Sequence, residues 1–261
     1  MKDPFTGKDG KPRVVRGVAI NSNATRLAEL AGMLGFETAW IDVEHGTAGF
    51  VEVEALCMAI ESGGAVPTVR IPDNQRHHVL RAVEAGGRII VVPMINCASD
   101  ARSVVEHGKF PPLGCRGFNL RSRGLRYGLE PPLQSFAEAN ERTHLFAQIE
   151  TVEAVRNLDE ICRVDGLSGV LVGPGDLSAS LGKPGAFTDS ELIASVEGVI
   201  RRARALGRHA GILVAPGPLL DAALEAGADL VFVGSDITNV ASVWKGLLAV
   251  LPGTPAGCGP A

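Results

Sequence analysis

Eight short apolar runs, each followed by a stretch of helical periodicity, constrain this chain more than any other feature. The runs are Val14–Ile20, Glu37–Asp42, Val66–Arg70, Arg88–Val92, Leu145–Glu150, Gly169–Val172, His209–Val214 and Leu230–Val233. Short, nearly continuous apolar runs mark strands buried on both faces, as in a parallel sheet. The helical patterns are Arg26–Leu34, Val51–Ser62, Gln75–Ala85, Ala98–His107, Val152–Cys162, Ser190–Leu206, Pro218–Ala226 and Asn239–Leu251. Gly35, Gly86, Gly207 and Gly227 each follow such a pattern, where a left-handed residue commonly caps a helix. Strand then helix, eight times over, is the pattern of an α/β fold of the (β/α)8 TIM-barrel kind. A doubly wound open sheet alternates in the same way. No Gly-x-Gly-x-x-Gly follows the first run, which weakens the dinucleotide-binding form of that rival.

The rhythm breaks once. From Phe110 to Pro132 the chain is rich in Gly, Pro and Arg, a long loop insertion between the fourth and fifth βα units. Loops of this length in a compact domain are usually functional or interfacial. The expected organisation is one barrel domain over residues 1–251 and a disordered C-terminal tail over 252–261.

A net charge of −4 gives no electrostatic reason to expect nucleic acid or an anionic membrane as partner. No apolar run approaches the roughly 18 residues that cross a bilayer. The polar first residues lack the apolar core of a signal peptide, so a cytoplasmic location is expected. Five scattered cysteines, Cys57, Cys97, Cys115, Cys162 and Cys258, form no Cys-x-x-Cys and read as reduced structural thiols. None of the six lysines lies in a strand run, which argues against a Schiff-base lysine.

Polar groups collect at the C-terminal ends of the strand runs, where a barrel binds its ligands. Glu150 closes the fifth run, and Asp176 follows the sixth in Gly169-Val-Leu-Val-Gly-Pro-Gly-Asp176. Two carboxylates with no His or Cys at ligand spacing suit a hard divalent cation, Mg2+ or Mn2+. The alternative is salt bridges or helix capping, with Asp176 capping a helix that begins near Leu177. Gln148, two residues before Glu150, shares its strand face. Asp42, Glu44 and His45 follow the second run, and Asp42 is a candidate orienter of the His45 ring. Arg70 ends the third run and offers a planar fork to a carboxylate or an enolate oxygen; the alternative is an internal ion pair with an acid such as Glu84. His77, His78, His107, His144 and His209 read as structural. Arg116, Arg121, Arg123 and Arg126 either bind an anionic distal group of a substrate or pair with acids across a subunit interface, and the structural role is favoured.

Taken together, the motifs resemble the HpcH/HpaI aldolases, metal-dependent class II pyruvate aldolases of the phosphoenolpyruvate-binding barrel superfamily. The matching segments are Ile41-Asp-Val-Glu-His-Gly46, Val66-Pro-Thr-Val-Arg70, Val92-Pro-Met94 and Pro111-Pro-Leu-Gly-Cys-Arg-Gly117. Gln148-Ile-Glu-Thr151, Asn157-Leu-Asp-Glu-Ile161, Gly173-Pro-Gly-Asp-Leu-Ser-Ala-Ser-Leu-Gly182 and Gly234-Ser-Asp236 follow in family order. The resemblance implies reversible retro-aldol cleavage of a 4-hydroxy-2-keto acid to pyruvate, or a related keto acid such as hydroxypyruvate, and an aldehyde. It implies Glu150 and Asp176 as metal ligands and Gln148 as the group orienting the keto acid or a metal-bound water. Arg70 would hold the keto oxygen and the enolate, and His45 with Asp42 would be the acid/base dyad. Backbone N–H groups near Gly175 and Asp176 would bind the pyruvate carboxylate, with Glu44 and Glu84 as outer support. Co2+ and Zn2+ remain open as the metal, although all-oxygen ligation argues mildly against Zn2+. A homo-oligomer, typically a hexamer with the last helix exchanged between subunits, is also implied.

The sequence departs from the family pattern at Ala19, where some members carry a Trp facing the substrate, and this suggests a roomier pocket. It departs again at Glu84, over Asn119 to Gly128, and before Arg13, where the usual short helix is missing. Two rival readings are an acyl-CoA lyase of the citrate lyase beta or malyl-CoA type, and a non-catalytic metal-binding homologue. One Tyr and two Trp offer little for an aromatic-lined nucleotide groove, which disfavours the first.

Overall fold

A parallel sheet buried on both faces must hide its edges, and this chain does so by closing the sheet on itself. The computed structural model describes residues 3–252 apart from 8 and 130. Its strands are β1 (Val15–Ile20), β2 (Thr38–Asp42), β3 (Val66–Arg70), β4 (Ile89–Val92), β5 (His144–Ile149), β6 (Gly169–Val172), β7 (His209–Val214) and β8 (Leu230–Ser235). They form a closed barrel in sequence order, and every neighbouring pair is parallel. The helices are α1 (Thr25–Met33), α2 (Phe50–Ser62), α3 (Arg76–Glu84), α4 (Ala98–Gly108), α5 (Pro132–Arg142) and α6 (Val152–Arg156). They continue as α7 (Leu158–Cys162), α8 (Pro174–Ser180), α9 (Ser190–Ala205), α10 (Pro218–Glu225) and α11 (Asp236–Ala249). The (β/α)8 barrel expected from the alternation is the fold. No helix among the described residues is long and apolar enough to cross a membrane.

Strand alternation divides the core into two layers. Ala39, Ile41, Leu145, Ala147 and Ile149 pack outward in the cluster shared with the helices. The intervening residues Trp40, Ile89, Val91, Phe146, Leu171 and Phe232 form the separate inner cluster that fills the barrel. Thr38 and Thr68 also point inward and satisfy one another, their hydroxyls 2.7 Å apart. Gly17 is inward on β1, and a Cβ there would come within 2.3 Å of the Phe232 ring, so only glycine fits that layer.

Phe5 closes the N-terminal end of the barrel. Its ring stacks on His209 at 3.7 Å between centroids and meets His144 edge-on at 5.4 Å.

Boundaries differ from the sequence reading by one or two residues at most strands. The larger differences are in helices. Val152–Cys162 is two short helices meeting at Asn157, whose φ of −89° and ψ of 8° lie outside the α region. The connection from Phe110 is not loop throughout: it carries a 3-10 segment over Arg123–Gly128 and runs into α5, which the periodicity did not reveal. An extra helix, α8, precedes α9, and α11 begins at Asp236 rather than Asn239. Cys57, Cys97, Cys115 and Cys162 are free thiols. Cys258 and the tail beyond Pro252, read as disordered, lie outside the described residues.

Burial at the closed end has a measurable consequence. The His144 imidazole is pushed down to about 4, chiefly by burial, with Lys109, His209 and Arg88 adding to the effect and Asp3 opposing it. The unfolded chain therefore binds the extra proton between about pH 6.5 and pH 4, and stability falls as pH drops through that window. Between pH 7 and pH 5 the wild type should lose about 2 kcal/mol relative to His144→Leu, measured by urea unfolding at both values. A pH-independent difference between the two proteins would refute this account.

Candidate active site

The C-terminal ends of β2, β3, β5 and β6 carry the polar residues, and strand register brings them together. Asp42 and Arg70 are paired positions on adjacent parallel strands, so their side chains leave the sheet on the same face. Arg70 donates from Nε to Asp42 Oδ1 at 3.1 Å and from Nη2 to Oδ2 at 2.5 Å. Its Nη1 also lies 2.9 Å from Glu44 Oε2. That contact is an ion pair with poor hydrogen-bond geometry, leaving Glu44 Oε2 buried without a donor. Below, the guanidinium carbon stands 5.3 Å from the Trp40 ring centroid. A cation held on three sides keeps one orientation. The Glu44 carboxyl is raised above its ordinary range by burial, and Arg70 opposes the rise.

The turn after β2 is tight. Asp42 Oδ1 accepts the backbone N–H groups of Glu44 and His45 at 3.1 and 3.2 Å. A Cβ on Gly46 would meet the Asp42 carbonyl oxygen at 2.0 Å, so the turn requires glycine. These contacts correct one expectation. Asp42 does not bond the His45 ring, because its carboxylate is committed to Arg70 and to the turn. The His45 side chain is 65 % exposed, and the carboxylate nearest its Nε2 is Glu44, at 4.0 Å.

Glu150 follows β5 and is buried. Its Oε1 accepts the Met94 backbone N–H at 2.7 Å, and its Oε2 accepts the Gln148 side-chain amide. Met94 has φ of 56°, a left-handed conformation uncommon for a residue with a side chain. The Glu150 carboxyl is raised, first by burial and then by the charges of Glu44 and Asp176, while Gln148 and Met94 partly offset this. The Gln148 carbonyl oxygen Oε1 is buried with no donor. Gly173 leaves room beside this pair: a Cβ there would lie 2.6 Å from Glu150 Oε2.

Asp176 is exposed in the first turn of α8, with Gly173 at the N-cap and Pro174 opening the helix. The first N–H groups of a helix lack intrahelical acceptors, and at Gly175 the backbone is open on the side a Cβ would take. No group of three or more His, Cys, Asp or Glu suited to a metal occurs among the described residues. A cation here would take Glu150 and Asp176 from the protein and its remaining oxygens from water or substrate, the usual arrangement for Mg2+.

A cavity of about 780 Å3 is lined by Ala19, Asp42, His45, Arg70, Gln148, Gly175 and Asp176, while Glu44 and the buried Glu150 are not part of its lining. Trp40, Asn21, Phe187, Leu213, Pro216 and Pro218 also line it and were missed in the sequence. Trp40 had a signal: it lies two positions before Asp42 and shares its face. Phe187, in the connection between α8 and α9, had none. Asp236 accepts the N–H groups of Asn21 and Ser22 at 2.8 and 3.1 Å and so fixes the end of β1 to the start of α11.

Two groups lie away from the cavity. Glu84 ends α3, where its raised carboxyl is set by burial and opposed by Arg116, Arg76 and Arg81, and it does not line the cavity. None of the loop arginines lines the cavity. Arg116 is buried over the Phe110 ring at 4.6 Å and pushed down to about 10 by that burial. Arg123 pairs with Glu61 and, with Arg126, lines a smaller cavity of about 320 Å3 beside Arg88 and Arg142.

The family model for HpcH/HpaI aldolase/citrate lyase matches residues 17–242. The 2-keto-3-deoxy-L-rhamnonate aldolase of Klebsiella pneumoniae is 35 % identical over 221 residues, 84 % of this chain and 82 % of that protein. The hydroxypyruvate/pyruvate aldolase of Agrobacterium fabrum is 33 % identical, covering 95 % of this chain and 92 % of its own. The crystal structure of the HpcH/HpaI aldolase from Desulfitobacterium hafniense DCB-2 superposes with a TM-score of 0.84 at 29 % identity, covering 93 % of this chain and 96 % of that one. With the barrel fold shared and the match running over nearly the full length, this chain belongs to the HpcH/HpaI aldolase/citrate lyase family.

Proposed function

We propose that the chain is an aldolase that reversibly cleaves a 4-hydroxy-2-keto acid to pyruvate, or a related keto acid such as hydroxypyruvate, and an aldehyde. The observation that carries this reading is Glu150: a buried carboxylate with no cationic partner among the described residues, held only by the Gln148 amide and the Met94 N–H, beside a buried Gln148 oxygen with no donor. Such a site is completed by a cation. The donors are all oxygen, which favours Mg2+ or Mn2+, leaves Co2+ acceptable and argues mildly against Zn2+. Glu150 and Asp176 would hold the ion, which when bound supplies Lewis-acid polarisation of the keto acid's oxygens.

The chain's own groups account for the rest. Arg70, fixed by Asp42, Glu44 and Trp40, presents its guanidinium to the keto oxygen and stabilises the enolate as charge develops there. The open N–H groups at Gly175 and Asp176 suit the keto acid's carboxylate. In cleavage the C4 hydroxyl gives up its proton, the C3–C4 bond breaks to leave the aldehyde carbonyl, and the electron pair passes into the enolate. A proton returned to C3 forms the pyruvate methyl group. His45, exposed at the cavity rim, is the base for the hydroxyl proton, directly or through a water. Asp42 serves the reaction through Arg70.

The apolar wall opposite Arg70 supports an aldehyde over an acyl-CoA ester. On α11, Val243, Trp244, Leu247 and Leu248 are exposed, which supports a homo-oligomer, a hexamer by family resemblance, in which this helix packs on a neighbouring subunit. A cytoplasmic location and a single domain over residues 1–251 remain part of the proposal.

Three outcomes are expected. Metal-loaded protein given pyruvate, or hydroxypyruvate, and a panel of aldehydes should form aldol products identifiable by mass, and verified chelation should abolish them; undiminished turnover without metal would sink the class II reading. Arg70→Ala should lower kcat by roughly a hundred- to a thousand-fold, with circular dichroism unchanged; near-normal turnover would remove Arg70 from the chemistry. Glu150→Gln should weaken Mn2+ binding by at least about 100-fold in titration calorimetry, and retained affinity would place the ion elsewhere.

A further inference from the structure

The cavity is divided by chemistry. Its ionisable lining side chains are Asp42, His45, Arg70 and Asp176, contributed by β2, the turn after it, β3 and α8. The wall from β7 and the connection before α9 is built differently. Leu213, Pro216, Pro218 and Phe187 face the space, joined by uncharged Thr188. Phe187 is 46 % exposed, with an unfilled volume in front of it. Ala19, flanked by Trp40 and Leu171 in the inner layer, adds little bulk to the floor between the two walls.

A three-carbon keto acid held at Arg70 and the carboxylates occupies only one end of about 780 Å3. The rest of the substrate has the apolar wall to extend along, with only uncharged Asn21, Ser235 and Thr238 on the adjoining side. Arg70 is the cation of the described lining, and Asp42 and Glu44 already face its charge. A carboxylate or phosphate on the aldehyde would leave water without meeting a cation, and that desolvation disfavours it. A hydrocarbon substituent would instead gain from burying its surface. We infer that the acceptor subsite selects an uncharged aldehyde bearing an aliphatic or aromatic substituent, with Phe187 and Leu213 as the specificity-determining residues. This rests on the aldolase reading and names the class of its second substrate.

The test uses metal-loaded protein, pyruvate, and the series propanal, butanal, pentanal and hexanal, with succinic semialdehyde as an anionic counterpart. In parallel, exchange of the pyruvate methyl protons in deuterated water is followed by NMR without any aldehyde. The expected result is kcat/KM rising roughly two- to fourfold per methylene, mainly through KM. Succinic semialdehyde should be at least tenfold poorer than pentanal. Phe187→Ala should flatten the series, and Phe187→Arg should shift preference toward succinic semialdehyde. A flat series, or equal use of the anionic aldehyde, with methyl exchange intact overturns the subsite and leaves the aldolase reading standing. Absence of both exchange and product overturns the aldolase reading, and the subsite with it.

Discussion

A strand in a closed barrel can aim each side chain either at the interior or at the helices, and the choice alternates along its regular length. Everything at the active site inherits this constraint. Trp40, Phe146 and Leu171 must fill the interior for the barrel to close. The next inward positions along β2 and β5 are Asp42 and Gln148, and Glu150 continues the same face. Inward polar groups are tolerated there because the packed layer has ended and the cavity begins. The register of β2 against β3 then sets Asp42 beside Arg70 without any loop having to find its place.

Electrostatics at the mouth follow from crowding acids around one guanidinium. Arg70 faces both Asp42 and Glu44, so its charge is shared before substrate arrives. Glu150 is buried at the end of β5, with Gln148 and the Met94 N–H as its only hydrogen-bond donors among the described residues. The two halves of the site thus have opposite needs. Arg70 is held in one orientation by Asp42 and Glu44. Glu150 and Asp176 would, in the proposed reading, take a divalent cation between them. Preorganisation of this kind is what makes hydrogen bonds and charges effective in an excluded site, since no rearrangement is needed as charge shifts.

Much of the site could be read from strand ends, because period-two alternation converts sequence spacing directly into direction. Gln148 and Glu150 share a face for that reason, as do Trp40 and Asp42. The Asp42–His45 pairing failed because three residues in a turn give no fixed direction; the Asp42 carboxylate instead caps the turn and grips a neighbour 28 residues away. Glu84 likewise had surroundings that were not legible. Sitting at the end of α3, it faces the helix layer and Arg116, a contact set by helix packing and invisible in local spacing. Helix α5 escaped notice because proline at its first turn weakens the periodic signal, and the short α8 was legible only as a helix near Leu177 with Asp176 as its candidate cap.

By itself the sequence determined the alternation of eight strands and helices, hence the barrel, the buried face of each strand and the row of polar residues at one end. These are local properties, fixed by hydrophobic period and by capping residues. Tertiary structure alone decided partners and space. It gave Asp42 to Arg70 instead of His45, turned the Met94 backbone N–H onto Glu150, removed the loop arginines from the cavity and raised Phe187 as its apolar wall. Those outcomes depend on the lateral register of neighbouring strands and on where connections return over the barrel mouth. Contacts of that sort are between residues far apart in the chain, and no local pattern encodes them.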